Sequence, residues 1–119
     1  MNNTEKIFSL HLNSNKPQKF ENFSKSFLNN ISNPNSLEIL VHIDKDDISM
    51  KKKISELNKD YKSPIRYIET NIIKNFNDAW KPLNLLKEET SSSVKIIACL
   101  SDDIIINTAN WDLVLLKYL

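Results

Sequence analysis

At 119 residues the chain has room for one domain with a real core, yet it is short for a complete enzyme of layered architecture. Hydrophobic residues at 40%, charged residues at 26% and a net charge of +1 describe an ordinary globular composition; they exclude a bulk electrostatic case for nucleic acid or a membrane surface. Glycine is absent, which excludes a dinucleotide-binding fingerprint and a P-loop, since both use glycine for tight turns and close backbone approach to phosphate.

No opening segment joins basic residues to a long apolar run, so neither a signal peptide nor a transmembrane helix is expected. The single cysteine, Cys99, lies inside an apolar run and reads as a buried, reduced thiol of a cytoplasmic protein.

The first predicted strand covers residues 6–12 (KIFSLHL), with His11 packed within it and not acting as a ligand. A polar turn follows, in which Asn15 is positioned to cap a helix that tolerates Pro17 in its first turn. Phe20, Phe23, Phe27 and Ile31 recur at helical spacing and form an aromatic stripe, ended by Asn33-Pro34-Asn35. Residues 37–43 (LEILVHI) are almost continuously apolar, as a parallel strand covered on both faces should be, and they run directly into Asp44. Asp47 is a natural N-cap for a helix with the buried stripe Met50, Ile54, Leu57 and Tyr61; Lys51-Lys52-Lys53 reads as its solvated face.

Ser63-Pro64 opens a short third strand at 65–68, and the connection at 70–76 carries no clear pattern. Asp78 is positioned to cap a helix whose inward face is Ala79, Trp80, Leu83 and Leu86. A fourth strand at 94–100 delivers the adjacent carboxylates Asp102-Asp103, followed by a further short strand at 104–106. Asn110 would cap a last helix at 111–119, apolar enough to predict self-association and a fold that is incomplete at its C-terminus.

Alternating strands and helices predict an α/β domain spanning 1–119: an open, mostly parallel, Rossmann-like sheet with right-handed crossovers and helices on both faces. Asp44 and Asp102-Asp103 would then share the carboxyl edge of the sheet, where open α/β folds bind ligands. Paired carboxylates there suit a hard divalent cation shared with substrate phosphates.

In order and spacing these pieces resemble the nucleotide-sugar-binding half of a GT-A glycosyltransferase of the family-2-like type. The residues that carry the resemblance are Asn15-Lys16-Pro17 after the first strand, Glu38 through Asp44, Asn84 on the third helix, Leu100-Ser101-Asp102-Asp103, and Trp111-Asp112. The resemblance implies a nucleoside diphosphate sugar as ligand, with a UDP-sugar expected, and Mn²⁺ or Mg²⁺ as cofactor. By the same resemblance Asp44 would hydrogen-bond the base, Asp102 the ribose, and Asp103 the metal–diphosphate. Asn84 would line the nucleotide site, Leu12 and Asn13 would offer backbone contacts to the base, and Trp111 would be structural.

Ser101 stands where the family's acidic motif often begins with Asp, so only the adjacent-pair version is present. The family's catalytic base and acceptor segment lie further along than these residues, so no catalytic residue is assigned. Two other readings stay open: a non-catalytic nucleotide-sugar-binding module, and a receiver-like signalling domain. Receiver-like domains carry their acidic pair after the first strand, where this chain has Asn13-Ser14.

Overall fold

The computed structural model describes residues 5–61, 65–70 and 80–119. Apolar stretches become strands β1 (Phe8–Asn13), β2 (Leu37–Asp44), β3 (Ile65–Thr70) and β4 (Ile96–Cys99), interleaved with helices α1 (Pro17–Asn30), α2 (Ile48–Asp60), α3 (Trp80–Glu88) and α4 (Trp111–Leu116). Among the described residues the strands pair, all parallel, into one sheet of order β3-β2-β1-β4. Phe8 lies opposite Leu37 on one side and Ile96 on the other, and Ile39 opposite Ile65. This is the α/β architecture expected from the alternating pattern. The predicted opening at Ser63-Pro64, the connection after Thr70, the N-cap Asp78 and the inward Ala79 lie outside the described residues.

Strand order dictates where the helices go. The chain steps from β1 to β2 to β3 in one direction, then returns across the sheet to place β4 on the far side of β1. Right-handed crossovers in opposite directions put their helices on opposite faces. Phe20, Phe23 and Phe27 of α1 and Met50, Ile54 and Leu57 of α2 accordingly join Phe8, Leu10, Leu12, Ile39, Val41 and Ile43 in one buried cluster. Helix α3 covers the other face, packing against β1, β2 and β3, with Leu86 fully buried.

Trp111 completes the aromatic core. Its ring meets Phe8 and Phe27 edge-on at centroid distances of 5.3 and 5.4 Å, and its indole N–H donates to the Phe27 carbonyl at 3.0 Å. Such pairs contribute about 0.5–1.5 kcal/mol each beyond burial. The neighbouring Asp112, 1% exposed, accepts the backbone N–H groups of Ser32 and Asn33 at 2.9 and 3.1 Å. It thereby satisfies backbone just past the end of α1.

Several local expectations are corrected. Asn15 does not cap α1: the cap position is Lys16, without a side-chain bond, and its N–H reaches the Ser14 hydroxyl. Asp47 does cap α2, accepting the Met50 N–H at 3.1 Å. Residues 104–106 form no strand, because the backbone of Ile106 is claimed by α1: its N–H donates to Ser26 Oγ and its carbonyl accepts from Asn30. Asn110 precedes α4 in a left-handed conformation (φ 54°) instead of capping it with its side chain, and its N–H donates to the Asn30 carbonyl. Among the described residues of this chain without glycine, Asn110 and Asp46 (φ 69°) take the positive-φ positions, which Asn and Asp tolerate best.

Helix α4 stops at Leu116, and its outer side, including Leu113, Val114 and Leu116, is exposed. Cys99 is exposed, not buried. It sits with Ile97 on an edge strand, on the face that α3 covers chiefly over β1, β2 and β3. Among the described residues no helix is long and apolar enough to cross a membrane.

The basic run is more than a solvated face. Lys51 pairs with Glu69 at 2.9 Å and Lys53 with Glu21 at 2.6 Å, so α2 is tied to β3 on one side and α1 on the other.

Candidate functional site

The sheet order reverses between β1 and β4, and a cleft of about 380 Å³ opens at the carboxyl ends of the strands there. That is the topological switch point where open α/β sheets receive ligands, and the volume falls in the range of small-molecule sites. Its walls come from segments distant in sequence: Asn13 to Lys16 after β1, Lys19 in the first turns of α1, His42 and Asp44 at the end of β2, and Asp102-Asp103 after β4.

Each wall follows from local structure. Side chains alternate along a strand, so with Val41 and Ile43 in the apolar core, His42 and Asp44 fall on the opposite face and meet at the cleft. Asn13 is the register partner of His42 and points the same way. Beyond β1, the Ser14 N–H donates to the His42 carbonyl at 3.1 Å, extending the pairing one residue into the loop. On the other side the Leu100 N–H donates to the His11 carbonyl at 2.8 Å, carrying the β4 segment out to its acidic pair.

Two cross-links then close the rim. The Ser14 hydroxyl donates to Asp102 Oδ2 at 2.8 Å, and Lys19 Nζ sits 2.6 Å from Asp103 Oδ1. Asp103 is in addition held by its own N–H on the Ser101 hydroxyl.

Electrostatics follow from these partners. The Lys19 ammonium, by hydrogen bond and by charge, holds the Asp103 carboxyl below its ordinary value, and Asp103 raises Lys19 in return. Both groups are therefore charged at neutral pH. His42, 2% exposed, has its pKa lowered by burial, with Asp44 opposing that shift, and its Nε2 lies 2.6 Å from Thr70 Oγ1. A neutral imidazole at the floor offers hydrogen bonds without charge.

Of the residues expected at the site, Asn13, Asp44, Asp102 and Asp103 are brought together here. Leu12 is fully buried in the aromatic core, leaving Asn13 as the first residue of its strand to line the cleft. Asn84 is exposed on α3 and is not among the lining residues. Sequence reasoning missed Ser14, Asn15, Lys16, Lys19 and His42 as parts of the cleft. His42 was legible in principle, being two residues before Asp44 on the same strand face. Lys19 and Ser14 carried no such signal, because their partners lie 84 and 88 residues away.

Among the described residues, no group of three or more His, Cys, Asp or Glu gathers as a metal-binding set. The protein-side donors available to a cation are the two adjacent carboxylates, hard oxygen ligands at the mouth of the cleft. That set makes only a weak metal site by itself, and it fits a Mg²⁺- or Mn²⁺-type ion completed by water and ligand phosphates. No protein-family model and no curated protein matches this chain.

Proposed function

We propose that this chain binds a nucleoside diphosphate sugar, a uridine nucleotide first, and forms the donor-binding half of a glycosyltransferase of GT-A type. The observation that carries the reading is the convergence of Asn13, Asp44 and Asp102-Asp103 on one cleft at the switch point of a parallel sheet. With no glycine anywhere in the chain, phosphate recognition must come from side chains and a cation and not from a glycine-rich loop.

The roles follow from chemistry and position. Asp44, at the end of β2, accepts an N–H from the base. Asp102, steadied by the Ser14 hydroxyl, accepts a ribose hydroxyl with its remaining oxygen. Asp103, the outermost carboxylate, faces the diphosphate and would hold a divalent cation there together with Asp102. When bound, that cation supplies neutralisation of the negative charge that develops on the departing diphosphate. His42 and Asn13 line the floor beneath the base and fix its plane by hydrogen bonding, while Lys16 and Lys19 set a positive rim on the phosphate side.

Calorimetry with UDP, in Mn²⁺ and then in chelator, tests the reading. Binding is expected to strengthen with Mn²⁺, and Asp103→Ala should remove most of that gain, on the order of ten-fold or more for a charge-assisted contact. Absence of binding by any nucleoside diphosphate would sink the proposal, and equal affinity in Mn²⁺ and chelator would remove the metal from it. Asp44→Asn should weaken binding several-fold and alter the preference among bases while keeping metal dependence, because it sits on a different strand from the acidic pair. Unchanged base preference in that variant would overturn the assignment of Asp44.

A further inference from the structure

The cleft carries its own cation. Lys19 reaches from α1 to Asp103 across 84 residues of sequence and places its ammonium 2.6 Å from Oδ1. A divalent ion at Asp103 would need the same carboxylate, and an ammonium and a metal ion cannot share it at contact distance without strong mutual repulsion. The pair is also easy to part: the two side chains are 48% and 66% exposed, in the range where ion pairs contribute little to folding. Lys16, one helical turn earlier, lines the same cleft. Two lysines and two aspartates therefore line the same cleft, one lysine already in contact with one aspartate. An incoming metal–diphosphate lets every charge change partners without leaving any unpaired, the aspartates turning to the metal and the lysines to the phosphates. Metal alone, or nucleotide alone, must break the Lys19–Asp103 pair and compensate only half of it.

We propose that Lys19 is an internal competitor for the divalent cation at Asp103, so that metal and nucleoside diphosphate each strengthen the binding of the other. The inference rests on the reading of the cleft as a metal–nucleotide site, but its central element, competition between an ammonium and a metal ion for one carboxylate, is measurable without any nucleotide.

Free Mn²⁺ followed by electron paramagnetic resonance in titrations of the intact chain provides that measurement. Without nucleotide, Lys19→Met should bind Mn²⁺ about three- to ten-fold more tightly than the parent, the scale of losing one partly screened neighbouring charge. Lys19→Arg should resemble the parent, because the charge remains. Lys25→Met removes a lysine of α1 that is similarly exposed and paired at 2.6 Å with Glu21, so it controls for net charge and should leave Mn²⁺ affinity unchanged. Adding Asp103→Asn to Lys19→Met should abolish the gain. With UDP present, the factor by which nucleotide tightens Mn²⁺ should be smaller in Lys19→Met than in the parent, and by linkage the factor by which Mn²⁺ tightens UDP should shrink equally. Equal Mn²⁺ affinity in parent and Lys19→Met, no Mn²⁺ binding by either, or an equal gain in Lys25→Met would each overturn the inference. A Lys19-dependent Mn²⁺ gain without any UDP binding would uphold the competition and sink the nucleotide reading. Metal-dependent UDP binding with Mn²⁺ affinity indifferent to Lys19 would do the reverse.

Discussion

The two faces of the sheet are built on opposite principles. Against α1 and α2 the strands present Phe8, Leu10, Leu12, Ile39, Val41 and Ile43, an apolar centre closed by aromatic rings, with Glu69 at its β3 edge paired to Lys51. Toward α3 the alternate residues of the same strands include Ser9, His11, Glu38 and His42, as deeply buried yet polar, with Leu40 the buried apolar residue among them. Glu38 collects the Ser9 hydroxyl, the Ser91 N–H and hydroxyl, and Arg66. His11 Nε2 touches the hydroxyls of both Ser9 and Thr90, whose own protons go to Glu38 and to the Leu86 carbonyl. Nε2 must therefore carry the ring hydrogen, leaving Nδ1 without a partner among the described residues. One face gains stability from area removed from water. The other gains little net free energy per bond but is costly to leave half-made. The cleft grows from the polar face, where His42 and Asp44 continue the line of Glu38 toward the carboxyl edge.

The sharpest way to test this contrast is to damage each face in turn. Phe27→Ala would remove a ring that contacts both Phe23 and Trp111 and should cost about 3–5 kcal/mol in urea unfolding, the range for deleting a buried aromatic. Glu38→Ala should cost less, about 2–3 kcal/mol, because it removes the acceptor of Ser9 and Ser91 without opening an aromatic-sized cavity. Glu38→Gln keeps the shape but replaces one of the two accepting oxygens with an NH₂ that meets donors, so it should recover only part of that loss. A Glu38→Gln variant as stable as the parent would show that the donors around Glu38 do not need two accepting oxygens.

The smallest effect separates the faces by pH. Burial, opposed by Glu38 and Asp44 respectively, lowers the pKa of His11 and of His42 from 6.5. Below that value the unfolded chain takes up protons that the folded chain refuses, so stability should fall as pH drops through about 6.5. The slope is at most about 1.4 kcal/mol per pH unit for each histidine. Urea midpoints measured between pH 7.5 and 5 check this, and His11→Asn should flatten the profile. The apolar face contains no group that titrates in this window, so Phe27→Ala should lower the whole curve without changing its shape.

Much of the architecture was legible in the sequence. Phe20, Phe23 and Phe27 announced the buried stripe of α1, and Asp47 the start of α2, because both are matters of residue spacing within one turn or two. Asp44 and Asp102-Asp103 announced a shared edge, since parallel strands put all their carboxyl ends together. The errors were of another kind. Residues 104–106 have strand-like composition, but α1 claims their backbone. Cys99 has a core-like neighbourhood in sequence, but its strand is at the edge of the sheet.

Local chemistry thus determined the elements, their order and the parallel sheet, because periodicity and capping act between residues a few positions apart. Only the tertiary structure decided which strand would be an edge, that the second face would be polar and buried, and that Lys19 would meet Asp103. Each of those depends on partners tens of residues away along the chain, and a contact of that kind leaves no mark on the spacing of either residue.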